Sequence, residues 1–348
     1  MPFMSHPEQS HLPPGHPPVA SRKTGVLLIN LGTPEATTYW PMRRYLKEFL
    51  SDARVIETNR VLWWFILNLV ILSFRPTKSG HAYGQIWNRE KNESPLKTFT
   101  RAQADKLRDA LGRSGKLVVD WAMRYGQPPV AERVKAMKEQ GCDRIVLFPL
   151  YPQYSAATTA TALDKVYGQL MTMRWQPMIR VVPPYFEHPA YIAAVADSLK
   201  EHLGSLDWTP DRILVAFHGL PREYLDKGDP YHCQCQKTAR LLREKLGTSK
   251  EQMQIVFQSR FGKAEWLKPY AQDTVEALPM QGVKNLVMIS PGFASDCVET
   301  LEELAIGLKQ TFLEKGGANF SVVPCLNDSL RSIQMLHTIA NDELAGWA

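Results

Sequence analysis

The chain has 348 residues, 44% of them hydrophobic and 22% charged. That balance excludes a disordered chain and a small single domain, and fits two globular domains of ordinary size. The 41 Lys and Arg against 35 Asp and Glu leave +6, which suits an anionic ligand or membrane face as well as plain solubility; no dense basic run interleaved with aromatics points to nucleic acid.

Residues 1–23 are rich in Pro, His and Ser and contain no apolar stretch, so they are not a secretory signal. They are expected to form a disordered arm. His6, His11 and His16 would bind metal weakly there, because flexible ligands lose entropy on ordering. Next comes VLWWFILNLVILSF, residues 61–74, uncharged and flanked by Arg60 and Arg75. At 14 residues it is too short to cross a bilayer, which takes about 20. A buried core helix is one reading. Apolar residues all round and two adjacent tryptophans favour an interfacial helix or an apolar lip to a pocket.

Short runs rich in Val, Ile and Leu then recur. In the first half they lie at 25–32, 116–126, 144–152 and 178–185; in the second, at 212–220, 254–262, 285–293 and 320–326. They are too short for typical helices, and several end at Gly or Pro, so they read as strands. Amphipathic stretches such as AERVKAMKEQG, YIAAVADSLKEHLG, QKTARLLREKLG and VETLEELAIGLKQTFLEKGG separate them and close on Gly stop signals. Such alternation predicts an α/β protein with parallel sheets. The expected organisation is two similar Rossmann-like domains, 24–175 and 176–326, each a four-stranded parallel sheet flanked by helices. A C-terminal helix in 327–348 is expected to pack back on the first domain.

Five cysteines, Cys142, Cys233, Cys235, Cys297 and Cys325, are scattered and odd in number. They do not read as a disulfide framework, and a reducing compartment is expected. His232 to Cys235 spell HCQC, a candidate metal motif that lacks visible further ligands.

Ligands of open parallel sheets bind beyond the carboxyl ends of the strands. Those ends carry Asn30-Leu31-Gly32, Arg124-Tyr125, Tyr151 to Tyr154, His218-Gly219, Gln258-Ser259-Arg260 and Ser290 to Phe293. This mixture of His, Arg and aromatic residues suits a large, flat, acid-bearing ligand.

The order of motifs resembles the ferrochelatases, which insert ferrous iron into a porphyrin. The resemblance rests on INLGTPE at 29–35, NESPLKTFT at 92–100, MRYGQP at 123–128, YPQYSAATT at 151–159, FHGLPREYLDKGDPY at 217–231, FQSRFGKAEWLKPY at 257–270 and PGFASDCVETLEEL at 291–304. It covers the chain from Gly25 to about Asn327. It implies two Rossmann-like domains around a porphyrin cleft. It also implies protoporphyrin IX and ferrous iron as substrates, and a cytoplasmic protein in peripheral contact with the inner membrane. A related chelatase for coproporphyrin, another tetrapyrrole or another divalent metal is the alternative. A monomer is expected.

Metallation exchanges two pyrrole protons for a dication, so a base and metal-handling groups must meet at the ring. His218, at a strand end, suits the base because imidazole titrates near neutrality. Glu299 and Glu303, four apart, share a helix face, and Asp296 is expected to join it near the start. Glu299 matches the family's catalytic glutamate. His218, Glu299 and Glu303 are the candidate metal ligands, although the acidic line stops at Gly307. By resemblance Leu31, Arg124, Tyr125, Tyr151, Trp266 and Phe293 line the substrate site, with Arg124 able to hold a propionate through two hydrogen bonds. Relatives often have Ser where this chain has Ala216, and animal relatives have His at Cys297. Ala156, and the lack of any cysteine after Cys325, imply that the iron–sulfur cluster of animal relatives is absent and that no prosthetic cofactor is used.

Overall fold

The structure, a computed structural model, describes residues 12–16, 19, 22–112, 115–262 and 264–347. Most of the expected N-terminal arm, with His6 and His11, lies outside the described residues. Two four-stranded parallel sheets form the frame. The first contains β1 (Lys23–Thr33), β2 (Leu117–Gly126), β3 (Cys142–Pro149) and β4 (Met178–Val181), in the order β2-β1-β3-β4. The second contains β5 (Arg212–His218), β6 (Met253–Gln258), β7 (Asn285–Ile289) and β8 (Asn319–Val322), in the order β6-β5-β7-β8. Each expected strand is present, and the two sheets share one topology. The expected boundary at 175/176 needs correction: β4 is paired with β3 through Arg144↔Met178 to Leu147↔Val181, so the first sheet extends to Val181.

Parallel strands covered on both faces read as continuous apolar runs, and the alternation of their side chains shows where each face goes. In β1, Val26 and Leu28 face one hydrophobic cluster and Leu27 and Ile29 another. In β5, Val215 and Phe217 join the same cluster as Val26, while Leu214 and Ala216 face a third. The shared cluster is therefore a single middle layer between the two sheets. Helices Pro95–Leu111, Pro189–Gly204, Tyr231–Leu246 and Leu330–Leu344 fill it with Leu107, Leu199, Leu242 and Leu336. Gln103 Nε2 seals the joint by donating to the Asn327 carbonyl at 2.7 Å. The C-terminal helix ends against the first sheet, where Arg180 donates to the Glu343 carbonyl at 2.7 Å. The two halves thus share a core, which fixes the strand ends of one relative to the other.

The apolar segment is helical. Asn59 caps Arg60–Phe65 by accepting from the Val61 and Leu62 amides; a wider π-helical stretch, Ile66–Ile71, follows, then Leu72–Ile86. Trp63, Leu67 and Leu72 are buried against Met42, Tyr45 and Tyr83. Val61, Leu62, Trp64, Phe65, Leu69, Val70 and Phe74 are each more than half exposed. Among the described residues no helix is long and apolar enough to cross a membrane.

Candidate active site

The second sheet reverses direction at β5: the chain goes next to β6 on one side, and β7 pairs with β5 on the other. A crevice for ligands opens at such a switch point, beyond the carboxyl ends of the two inner strands. His218 ends β5. It has the strand parity of Leu214 and Ala216, so it leaves the sheet on the side of their cluster. Leu304 and Leu308 of the helix Glu299–Leu308 pack into that same cluster. Sheet alternation and helix packing therefore bring His218 and the glutamate-bearing helix to the same side of the sheet.

Hydrogen bonds from the end of β6 tie the glutamate helix to the strand beside His218. His218 pairs in register with Gln258, the last residue of β6. Gln258 Nε2 donates to the Glu299 carbonyl at 2.9 Å and lies 3.4 Å from the Glu303 carboxylate. Ser259, held in the left-handed region at φ 65°, donates its hydroxyl to Glu303. A non-glycine residue in that conformation is uncommon and costs about 1–3 kcal/mol, so the turn that aims this hydroxyl is stabilised by its surroundings. Burial pushes the Glu303 carboxyl above its ordinary value, and the neighbouring Glu299 adds to the rise; the Ser259 bond and the His218 imidazole oppose it. Glu303 is thus a proton-holding group coupled to both other members.

His218 Nδ1 lies 2.6 Å from the Gly219 carbonyl. A carbonyl only accepts, so Nδ1 carries the hydrogen in the neutral ring and Nε2 is left with its lone pair. Trp266 packs on the next residue: a Cβ at Gly219 would lie 3.2 Å from the Trp266 ring and 2.7 Å from the Gln258 carbonyl. Only glycine fits, and the tryptophan closes the loop that carries the base.

The helix bearing the glutamates is π-helical throughout Glu299–Leu308, a rare form concentrated at functional sites. Its wider turn places residues 307 and 308 one turn beyond Glu303. They are Gly307 and Leu308, so the acidic line stops at Glu303 as expected. Asp296 does not join this line. It is buried, accepts from Thr300, the Cys325 amide and Asn327, and so ties down the approach to the helix. The helix begins only at Val298, which takes Asp296 off the face. Cys297 is buried; burial and the adjacent Glu299 push its thiol up, leaving it neutral.

The first half supplies a wall. Leu31 and Val298 pack against the cluster that contains Tyr45, Tyr83 and the buried face of the apolar segment. That cluster joins the lip to the start of the glutamate helix. Tyr45 and Tyr83 are buried within the field of Glu299. Two of the expected substrate contacts need correction. Arg124 is not free to clamp a propionate through two bonds, because Asp52 pairs with its Nη2, and Thr161 accepts from its Nε at 2.7 Å. Tyr125 is fully buried and donates to Asp52 at 2.9 Å, so it backs the wall without forming its surface. Burial raises the Asp52 carboxyl, but hydrogen bonds from Thr161, the Arg54 amide and Tyr125, with the Arg124 charge, outweigh it and hold it below its ordinary value. The Tyr151 hydroxyl is buried without a partner, and Phe293 packs partly into the shared core.

HCQC does not form a metal centre: on its helix Cys235 is fully buried and Cys233 exposed, as expected for residues two apart on an α-helix. Among the described residues, no three His, Cys, Asp or Glu side chains converge as a metal cage.

Comparison with known proteins decides the family. The ferrochelatase family model matches residues 23–344. The chain belongs to the ferrochelatase family. The ferrochelatase of Agrobacterium fabrum is 56% identical over 340 residues, covering 98% of this chain and 99% of the relative. That of Rhizobium meliloti is 55% identical over 332 residues, covering 95% and 98%. Among solved structures, SirB from Bacillus subtilis with Fe3+ is similar in fold, with TM-score 0.56 and 11% identity, covering 93% of this chain and 96% of that one. CbiX, a terminal enzyme of sirohaem biosynthesis in denitrifying bacteria, has TM-score 0.52 at 13% identity, covering 91% and 98%. The ferrochelatase chain thus has the chelatase architecture of two parallel sheets.

Proposed function

We propose that this chain inserts ferrous iron into protoporphyrin IX, with loss of two protons, and so makes protohaem. The observation that carries the chemistry is the placement of His218 at the end of β5 beside Gln258 and Ser259, which bond the Glu299 backbone carbonyl and the Glu303 carboxylate at the switch point of the second sheet. His218 Nε2 offers a lone pair to a pyrrole proton. Glu299, one helical turn before Glu303, is assigned to handle the incoming ion. Glu303, raised by burial and by Glu299, takes up or returns a proton as the charge of its partners changes. No prosthetic cofactor enters this scheme.

Leu31, Tyr151, Trp266 and Phe293 are assigned to the porphyrin surface. The exposed apolar face of 61–74 is assigned to peripheral contact with the inner membrane, from which an apolar porphyrin would enter past Leu31. The continuity of this face with the Leu31–Val298 cluster supports that reading. It also favours protoporphyrin over a tetrapyrrole with more carboxylates. The chain is expected to act as a cytoplasmic monomer. The test is steady-state, anaerobic insertion of ferrous iron by purified protein, comparing protoporphyrin IX with coproporphyrin. A higher kcat/KM for protoporphyrin supports the assignment; turnover of coproporphyrin alone overturns it.

A further inference from the structure

Arg124 has one nitrogen that the site above does not employ. Its Nε and Nη2 are bonded to Thr161 and Asp52, whereas Nη1 is buried with no hydrogen-bond partner. The nearest further carboxylate, Glu48, stands 3.9 Å away, beyond hydrogen-bond reach. Arg124 is 6% exposed, so water does not freely replace the missing acceptor. A buried charged donor without an acceptor is costly, and its persistence points to a ligand.

Arg124 lines an open depression of about 450 Å³ that holds neither His218, Glu299 nor Glu303. Arg44, Lys47 and Lys165 stand around it. The two lysines are exposed and make no ion pair among the described residues. Arg44 lies 3.5 Å from Glu35. Glu48 and Asp52 also line the depression, so cations exceed carboxylates by two. Asp52 is already engaged with Arg124, Tyr125 and Thr161. The arrangement is a guanidinium held by a carboxylate, with exposed ammonium groups at the rim. Such a set matches a compact dianion whose oxygens accept from several directions.

We propose that this depression binds a phosphate-class dianion, either free or at the head of a lipid, at a place separate from the metal-insertion site. Nη1 of Arg124 donates at the base, and Lys47 and Lys165 close on the anion from the rim. Binding satisfies the orphan donor and tightens the Asp52–Arg124–Tyr125 network that backs the wall of the active site.

The test is titration calorimetry of the full chain with inorganic phosphate at low ionic strength, alongside flotation with vesicles of phosphatidylcholine with or without phosphatidic acid. One phosphate per chain is expected. The Lys47→Gln/Lys165→Gln double variant should bind at least about tenfold more weakly, since each charge-assisted contact is worth roughly that factor, while its melting temperature in phosphate-free buffer is unchanged. Lys135→Gln, an exposed lysine outside the depression, should bind as the parent does. Flotation that requires phosphatidic acid and is lost in the double variant assigns the lipid source; phosphate binding without it assigns the free anion. No phosphate binding at millimolar concentration, or binding unchanged in the double variant, overturns the proposal. So does displacement of phosphate by saturating protoporphyrin IX, which would give these charges to its propionates. None of these readouts depends on metal insertion.

Discussion

The exposed face of the apolar helix allows its membrane affinity to be worked from the structure. Leu69 and Phe74 are 65% and 76% exposed, so each retains most of its surface for burial in a second phase. Full burial of such side chains is worth about 1.5–3 kcal/mol, and these fractions leave roughly 1–2 kcal/mol each. Replacing both by Ser should therefore remove about 2–4 kcal/mol of membrane affinity, a roughly 30- to 700-fold loss of partitioning. Neither residue belongs to the buried set Trp63, Leu67 and Leu72, so folding should survive. Flotation with vesicles of inner-membrane lipid composition measures the partition coefficient, and a thermal melt checks the fold. A double variant that melts like the parent and partitions like it would refute the assignment of this face.

Other changes test the wiring of the site. Glu303→Gln should slow metal insertion yet raise stability at neutral pH. A raised carboxyl stabilises the fold fully below its unfolded value and loses that contribution as pH rises through its folded value. The melting curves of variant and parent should therefore converge as the pH falls towards the ordinary carboxylate range; a variant less stable at neutral pH would contradict this. Asp52→Asn leaves the buried Arg124 without its counter-charge and should cost roughly 3–5 kcal/mol in urea unfolding. Gly219→Ala drives a Cβ to 2.7 Å from the Gln258 carbonyl. It should cost about 1–3 kcal/mol of stability and displace His218, with kcat falling more than KM rises.

Much of the frame was legible because its signals are local. The eight apolar runs between amphipathic stretches correspond to the eight strands, and Gly or Pro punctuates most of their ends. The runs overshoot, as at 290–293 and 323–326, because apolar loop residues such as Phe293 and Val323 are also buried against the shared core. The boundary at 175/176 cuts β4 from its sheet although the run at 178–185 reads as the fourth strand of the first half; strand pairing, not composition, decides which sheet it joins. His218, Glu299 and Glu303 were readable from strand ends and helix spacing; the structure couples Glu303 to the other two by charge but does not gather the three into a metal cage among the described residues. Gln258 and Ser259 were visible as a strand end, but their role depends on a left-handed turn and a helix distant in sequence. Asp52, Tyr45 and Tyr83 carry no motif; long-range packing alone brings them in. The pairing of Asp52 with the Arg124 guanidinium, which leaves no free two-bond clamp, is a long-range contact with no local sequence signal.

The central claim is that His218 and Glu299 together metallate the porphyrin. The direct measurement is the anaerobic rate of ferrous iron insertion into protoporphyrin IX by the parent, His218→Ala and Glu299→Gln, each shown by thermal melt to be folded. The parent should turn over, and each variant should lose about 10²-fold or more in kcat, the scale of a positioned acid–base group. Full insertion rate in either folded variant would contradict the account.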